Sequence, residues 1–114
     1  MLKTMPELIK EVSTTVRRIS AEQAAAEMPP KNALFIDVRE PGEHQKLAAE
    51  GSINIPRGIL EGKILELEKD ATRAIYVHCA AGVRATLAAE QLQRLGYENV
   101  TAISCKFDAI KAVF

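Results

Sequence analysis

A three-layer α/β sandwich, with helices on both faces of a central parallel sheet of about five strands, is the fold this sequence predicts. Two observations carry it. Residues 33–38 and 74–77 are apolar at nearly every position, which suits strands covered on both faces. These runs alternate with segments whose apolar residues recur at helical spacing, the pattern of right-handed crossover connections. A chain of 114 residues with 47% apolar and 26% charged side chains has the composition of one globular domain.

The elements follow in order. Thr4 and Glu7 have capping-box spacing with Pro6 between them, and Met5, Leu8, Ile9, Val12 and Val16 then form an apolar stripe. That stripe needs a cover, either the domain's own flank or a second copy. Arg18-Ile19-Ser20 reads as a very short strand, and Ser20 with Gln23 starts an alanine-rich helix running to Met28. Pro29-Pro30-Lys31-Asn32 reads as a turn before the strand at 33–38. Glu40-Pro41 opens a helix that should end near Gly51, with His44 on its surface. Ile53-Asn54-Ile55 is a short strand stopped by Pro56. Residues 59–68 form a helix with Ile64 and Leu67 facing inward. A strand then leads to Cys79, and the helix after it places Ala88, Leu92 and Leu95 on one face before Gly96 ends it. Residues 99–103 make the last strand, and residues 106–114 a weak closing helix.

The stretch that carries chemistry is His78-Cys79-Ala80-Ala81-Gly82-Val83-Arg84-Ala85-Thr86. A strand, a glycine-containing turn and a helix N-terminus together form an anion cradle. The first helical N–H groups lack intrahelical acceptors, and the helix dipole adds partial positive charge there. Cys79 stands at its lip, where the field favours a nucleophilic thiolate. A cysteine at a strand end is commonly an inert buried hydrophobe; the glycine two residues before Arg84 and the helix start argue for a nucleophile. A cation in the first helical turn is electrostatically misplaced unless it meets an anion, so Arg84 is a candidate substrate-binding residue. Gly82 permits the close turn, and Ala80, Ala81, Val83 and Arg84 would present backbone N–H groups to the same centre. The uncharged loop side chains disfavour a polyanionic donor. Asp37 and Arg39 end the neighbouring strand, where a carboxylate among apolar residues must be paired; both are expected to be structural supports. His78, out of phase with Cys79, should be a structural histidine facing the opposite layer.

Three motifs together resemble one family. Cys79-Ala80-Ala81-Gly82-Val83-Arg84 is similar to the Cys-x-x-Gly-x-Arg active loop of single-domain rhodanese sulfurtransferases. Asp37-Val38-Arg39-Glu40-Pro41 and Gly51-Ser52-Ile53-Asn54-Ile55-Pro56 resemble two further segments of that family, in the right order. The resemblance covers the chain from about Ile19 onward, leaving residues 1–17 as an N-terminal extension and 18–114 as the domain. It implies a sulfurtransferase that moves sulfane sulfur from thiosulfate or a small persulfide to a thiol or cyanide through a Cys79 persulfide. No cofactor is implied. Expected partners are small sulfur-containing anions and thiols, with a protein as a further candidate acceptor, and the chain is expected to be a monomer or a homodimer. Two departures stand out: Leu47-Ala48-Ala49-Glu50 replaces a common Gly-His-Ile-Pro, and Cys105-Lys106 replaces a common Gly-Gly. Side chains at 105 and 106 would narrow the pocket.

Composition bounds the remainder. Fifteen basic and fifteen acidic residues balance, which points to neither nucleic acid nor an anionic membrane. Two cysteines are too few for a disulfide scaffold, and no Cys/His cluster has metal-ligand spacing. Glu7 and Glu11 near the N-terminus, without an apolar core segment, lead to an expectation of a cytoplasmic protein. Cys105, ending the last strand, is a candidate redox partner of Cys79 or simply a tolerated small residue. Two other classes compete. His-Cys-x4-Arg resembles the cysteine phosphatase signature, shared in outline by arsenate reductases, with one residue missing, and a rhodanese-like module can serve protein contact without catalysis.

Overall fold

The computed structural model describes residues 1–114. Helix α1 (Met5–Val12) precedes strand β1 (Arg17–Ile19), followed by α2 (Ala21–Lys31), β2 (Leu34–Asp37), α3 (Pro41–Lys46) and β3 (Ile53–Asn54). A 3₁₀ turn at Arg57–Ile59 runs into α4 (Leu60–Leu67), and β4 (Ile75–His78), α5 (Val83–Leu95), β5 (Val100–Ile103) and α6 (Phe107–Val113) complete the chain. All five strands are parallel, in the order β1-β5-β4-β2-β3. The three-layer α/β sandwich is the predicted one.

That order has a consequence for ligand binding. The connection leaving β2 runs outward to β3, whereas the one leaving β4 runs the other way to β5. The switch point therefore lies between β2 and β4, and a crevice opens beyond the carboxyl ends of such strands. Asp37 and His78 are register partners there, so Arg39 and Cys79 follow on adjacent loops. The two motifs meet because the crossovers diverge.

One face of the sheet carries α1, α4 and α5. Their Val12, Leu60, Ile64, Ala85, Ala88, Ala89 and Leu92 pack with Ile36, Val77, Cys79 and Ala102 from the strands. The other face carries α2 and α6, whose Ala21, Ala24, Met28 and Ile110 cover Ile19, Phe35, Tyr76 and Ile103. Full burial of a leucine such as Leu92 contributes about 1.5–3 kcal/mol, so these stripes outweigh weak helix propensities.

The C-terminal part of the N-terminal stripe is covered within the chain. Thr4 accepts from Glu7 N at 3.2 Å to cap α1, Val12 and Val16 enter the main core, and Gln93 Nε2 on α5 donates to Thr15 O at 3.0 Å. Met5 stays exposed at the outer end.

Four local expectations need correction. Helix α2 continues through Pro29 and Pro30 to Lys31 and ends on Asn32 in the left-handed region, where a turn was expected. Proline lacks an N–H and so leaves earlier carbonyls unpaired, yet at a last turn those carbonyls can face water. Helix α3 ends at Lys46, well short of Gly51. Leu67 and Leu95 are exposed and Leu60 is buried; the two exposed leucines are the last residues of α4 and α5. His44 is half-buried and bonded to Asp37, not a surface residue.

Candidate active site

Strand β4 delivers Cys79 to the switch point between β2 and β4, with 1% of its surface exposed. Its Sγ accepts from Gly82 N at 3.1 Å and Ala85 N at 3.3 Å. The cradle thus has an observed donor pair, one from the turn and one from the first turn of α5. Ala85 was not among the expected donors, since it lies beyond Arg84 and only the helical winding returns it to the sulfur. The amides of Ala81, Val83 and Arg84 make no intramolecular hydrogen bond and remain available at the mouth.

Gly82 makes the turn possible. It has φ +90°, and a Cβ there would lie 2.7 Å from the carbonyl oxygen of Ser104. Thr86 Oγ1 donates to Gly82 O at 2.7 Å and accepts from Arg18 Nε at 3.1 Å, tying the turn to β1. Phe107 N donates to Ala80 O at 2.8 Å, so the segment after β5 closes the loop from the other side. Ser104, rather than Cys105, is the residue whose backbone abuts the turn.

Asp37 and Arg39 form the supporting layer. Arg39 donates from its backbone N (2.9 Å) and Nε (3.0 Å) to Asp37 Oδ1 and from Nη2 to Oδ2 (2.9 Å), and Nη2 also reaches Leu47 O at 2.7 Å. The guanidinium carbon stands 3.9 Å from the Phe107 ring centroid. His44 Nδ1 lies 2.8 Å from Asp37 Oδ2. Burial pushes the Asp37 carboxyl up, but the hydrogen bonds from Arg39 and His44 outweigh it and hold it below its usual range. Neither Asp37 nor Arg39 bonds to Cys79.

His78 faces the opposite layer, against Phe35 and Phe107, with both ring nitrogens buried and without a hydrogen-bond partner. Burial pushes it down to about 4 against the pull of the Asp37 charge, which keeps the ring neutral at pH 7.

Arg84 does not stand free. It forms a two-pronged pair with Glu43 on α3, Nη1 to Oε1 at 2.8 Å and Nη2 to Oε2 at 3.2 Å. Glu43 is the functional-site residue that the sequence reading missed. Its partner is 41 positions away, and no periodicity reports such a pair. Cys105 lies half-buried against the α2 and α6 layer, where its Sγ accepts from Ala21 N at 3.3 Å. Both cysteines are free, and Cys79 belongs to the core on the other face of the sheet. No three His, Cys, Asp or Glu side chains converge to hold a metal ion, and no helix is long and apolar enough to cross a membrane.

A buried cysteine in an amide-lined turn, ahead of an arginine, is a feature that known proteins can be compared on. The Rhodanese-like domain family matches residues 20–112. The chain belongs to the rhodanese-like domain family. Among relatives of this rhodanese-like domain, the thiosulfate sulfurtransferase PspE of Escherichia coli is 35% identical over 66 residues, 58% of this chain and 64% of that protein. A Schizosaccharomyces pombe relative is matched over 57% of its length, so the chain spans less than two thirds of both curated proteins. A rhodanese-related protein from Thermoplasma volcanium superposes with a TM-score of 0.70 at 33% identity, over 82% of this chain and 89% of its own. A Rhodopseudomonas palustris protein of unknown function, described as a possible tyrosine phosphatase, reaches a TM-score of 0.82 at 22% identity over 98% and 92% of the two chains. At that identity the likeness is one of fold, and it extends over the N-terminal helix.

Proposed function

We propose that this rhodanese-like domain is a sulfurtransferase that carries sulfane sulfur on Cys79. The observation that carries the proposal is the pair of amides, Gly82 N and Ala85 N, aimed at Cys79 Sγ. They stabilise negative charge on that sulfur, and the free amides of Ala81, Val83 and Arg84 would hold a second sulfur attached to it. In the first half-reaction the Cys79 thiolate attacks the outer sulfur of a donor. A Cys79 S–S bond forms, the donor S–S bond breaks, and sulfite or a thiolate leaves with the electron pair. In the second, an acceptor thiolate or cyanide attacks the outer sulfur of the persulfide, and Cys79 departs as a thiolate. No net proton or external electron is required.

Within this reading Arg84 attracts the donor's negative charge, while Asp37 and Arg39 hold the adjacent strand end in place. A small thiol or a protein cysteine serves as acceptor. The free thiols suit a reducing compartment such as the cytoplasm. The phosphatase reading is disfavoured by loop length: four residues separate Cys79 from Arg84, which closes the amide ring around a single sulfur and leaves little room for a phosphoryl group. A module that only binds protein has no need of amides trained on a buried thiol.

The test is turnover. Purified protein should transfer sulfur from thiosulfate or a small persulfide, Cys79→Ala should abolish it without unfolding the domain, and aryl phosphates should not be hydrolysed. Hydrolysis of phosphate esters through Cys79, or undiminished sulfur transfer in Cys79→Ala, contradicts the proposal.

A further inference from the structure

We propose that Glu43 sets the donor selectivity of the Cys79 site, occupying Arg84 so that singly charged or neutral donors are favoured over a dianion such as thiosulfate. The inference rests on the sulfurtransferase reading for the identity of the donor, but its physical content, a carboxylate that discharges the mouth of the loop, does not.

Arg84 is the only cation within the loop; Ala80, Ala81 and Val83 contribute no charge. Glu43 takes both prongs of its guanidinium, at 2.8 and 3.2 Å. The carboxylate is itself held in place, since Oε1 also accepts from Glu40 N at 3.0 Å. The Arg84 hydrogen bond is the main reason that the Glu43 carboxyl lies below its usual range, so the pair is ionised at neutral pH. The other basic groups nearby do not replace Arg84. Arg39 is engaged by Asp37, and Lys106, brought near the loop by the Phe107–Ala80 bond, is an exposed side chain outside the loop itself.

Helix α3, which places Glu43 there, is tied to the domain by polar contacts. It buries no residue of its own, and its ties to the domain are His44 to Asp37, Glu43 to Arg84 and the Arg39 bond to Leu47 O. An incoming anion must therefore either share Arg84 with a carboxylate or displace it. A dianion meets that carboxylate with twice the charge of a persulfide's reacting end. Because Arg84 and Glu43 are each about one third exposed, water and salt moderate the effect without removing it.

The experiment compares Glu43→Gln and Glu43→Asp with the unaltered chain. Gln keeps an acceptor for Glu40 N and Arg84 but removes the charge; Asp keeps the charge on a shorter arm. The first readout is the rate of Cys79 alkylation by iodoacetate relative to iodoacetamide, with the modified residue located by peptide mass mapping. Glu43→Gln should raise that ratio roughly twofold to fivefold at low ionic strength, and the gain should shrink as salt is added. Glu43→Asp should leave it near the starting value. The second readout is kcat/KM for thiosulfate, which should rise by a similar factor in Glu43→Gln. An unchanged or lower alkylation ratio in Glu43→Gln overturns the proposal, as does an equal rise in Gln and Asp, which would make the effect positional. If no variant turns over either thiosulfate or a small persulfide but the alkylation ratio moves as expected, the sulfurtransferase reading fails while the assignment to Glu43 stands.

Discussion

Replacing Gly82 with alanine should damage both the fold and the site, by an amount the geometry allows to be divided. Two costs add. At φ +90° an alanine sits in the left-handed region, which costs about 1–2 kcal/mol for an L-residue. Its Cβ would also lie 2.7 Å from Ser104 O and 3.1 Å from Ser104 Cα, both backbone atoms that cannot rotate away. Forcing such a contact apart costs about 1–3 kcal/mol more. Gly51 supplies the control, with φ +85° and nothing within 4 Å of the added Cβ, so Gly51→Ala incurs the first cost alone. The expected totals are about 2–5 kcal/mol for Gly82→Ala and about 1–2 kcal/mol for Gly51→Ala. Thermal unfolding reads the difference, since 1 kcal/mol moves Tm by about 4–8 °C in domains near this size. Gly82→Ala should also slow sulfur transfer, because the Gly82 N–H that points at Cys79 Sγ moves, and a shift of ~1 Å can cost about a hundredfold. Equal Tm values for the two variants, or full activity in Gly82→Ala, would refute this account of the turn.

Asp37→Asn should destabilise the domain by about 3 kcal/mol in denaturant titration, because Arg39 is 5% exposed and loses its ionic partner. A loss below about 0.5 kcal/mol, the size of an ordinary surface change, would count against a supporting role. For His78, the unfolded ring binds a proton near 6.5 and the folded one only near 4, so its contribution is complete above 6.5 and disappears as pH falls toward 4. His78→Leu should flatten the stability profile across that window by about 3 kcal/mol at most, and an unchanged slope would remove His78 as its source. Val12→Ala should cost about 2 kcal/mol by opening a gap against the main core, whereas Met5→Ala should change stability by less than about 0.5 kcal/mol; equal effects would mean α1 does not pack as described.

The strands and their order of appearance were legible because a parallel sheet covered on both faces leaves a short-range signature, seen at Phe35-Ile36 and Ile75-Tyr76-Val77. Caps were legible for the same reason: Thr4 and Ser20 each accept from the amide three residues on. What escaped depends on tertiary contact. The prolines at 29 and 30 normally stop a helix, but α2 carries on to Lys31 with Ala24 and Met28 buried, so packing outweighs the local preference. Leu67 and Leu95 share the spacing of their buried neighbours, but each is the last residue of its helix and stays exposed. At the site, the Cys79 loop and the Asp37–Arg39 pair could be read from motifs contiguous in the chain. The Glu43–Arg84 pair, the His44–Asp37 contact and the approach of Ser104 to Gly82 join separate segments and carry no local pattern.

The most direct test of the central proposal is to find the sulfur. Protein reduced and freed of small thiols is incubated with thiosulfate, and separately with a small persulfide, then digested without reductant and analysed by mass spectrometry. One additional sulfur should appear on the peptide containing Cys79, disappear on addition of cyanide with formation of thiocyanate, and fail to appear in Cys79→Ser. Sulfur found on Cys105 with Cys79 unmodified, or no loading from either donor while Cys79 remains alkylatable, would contradict the proposal that Cys79 carries the sulfur.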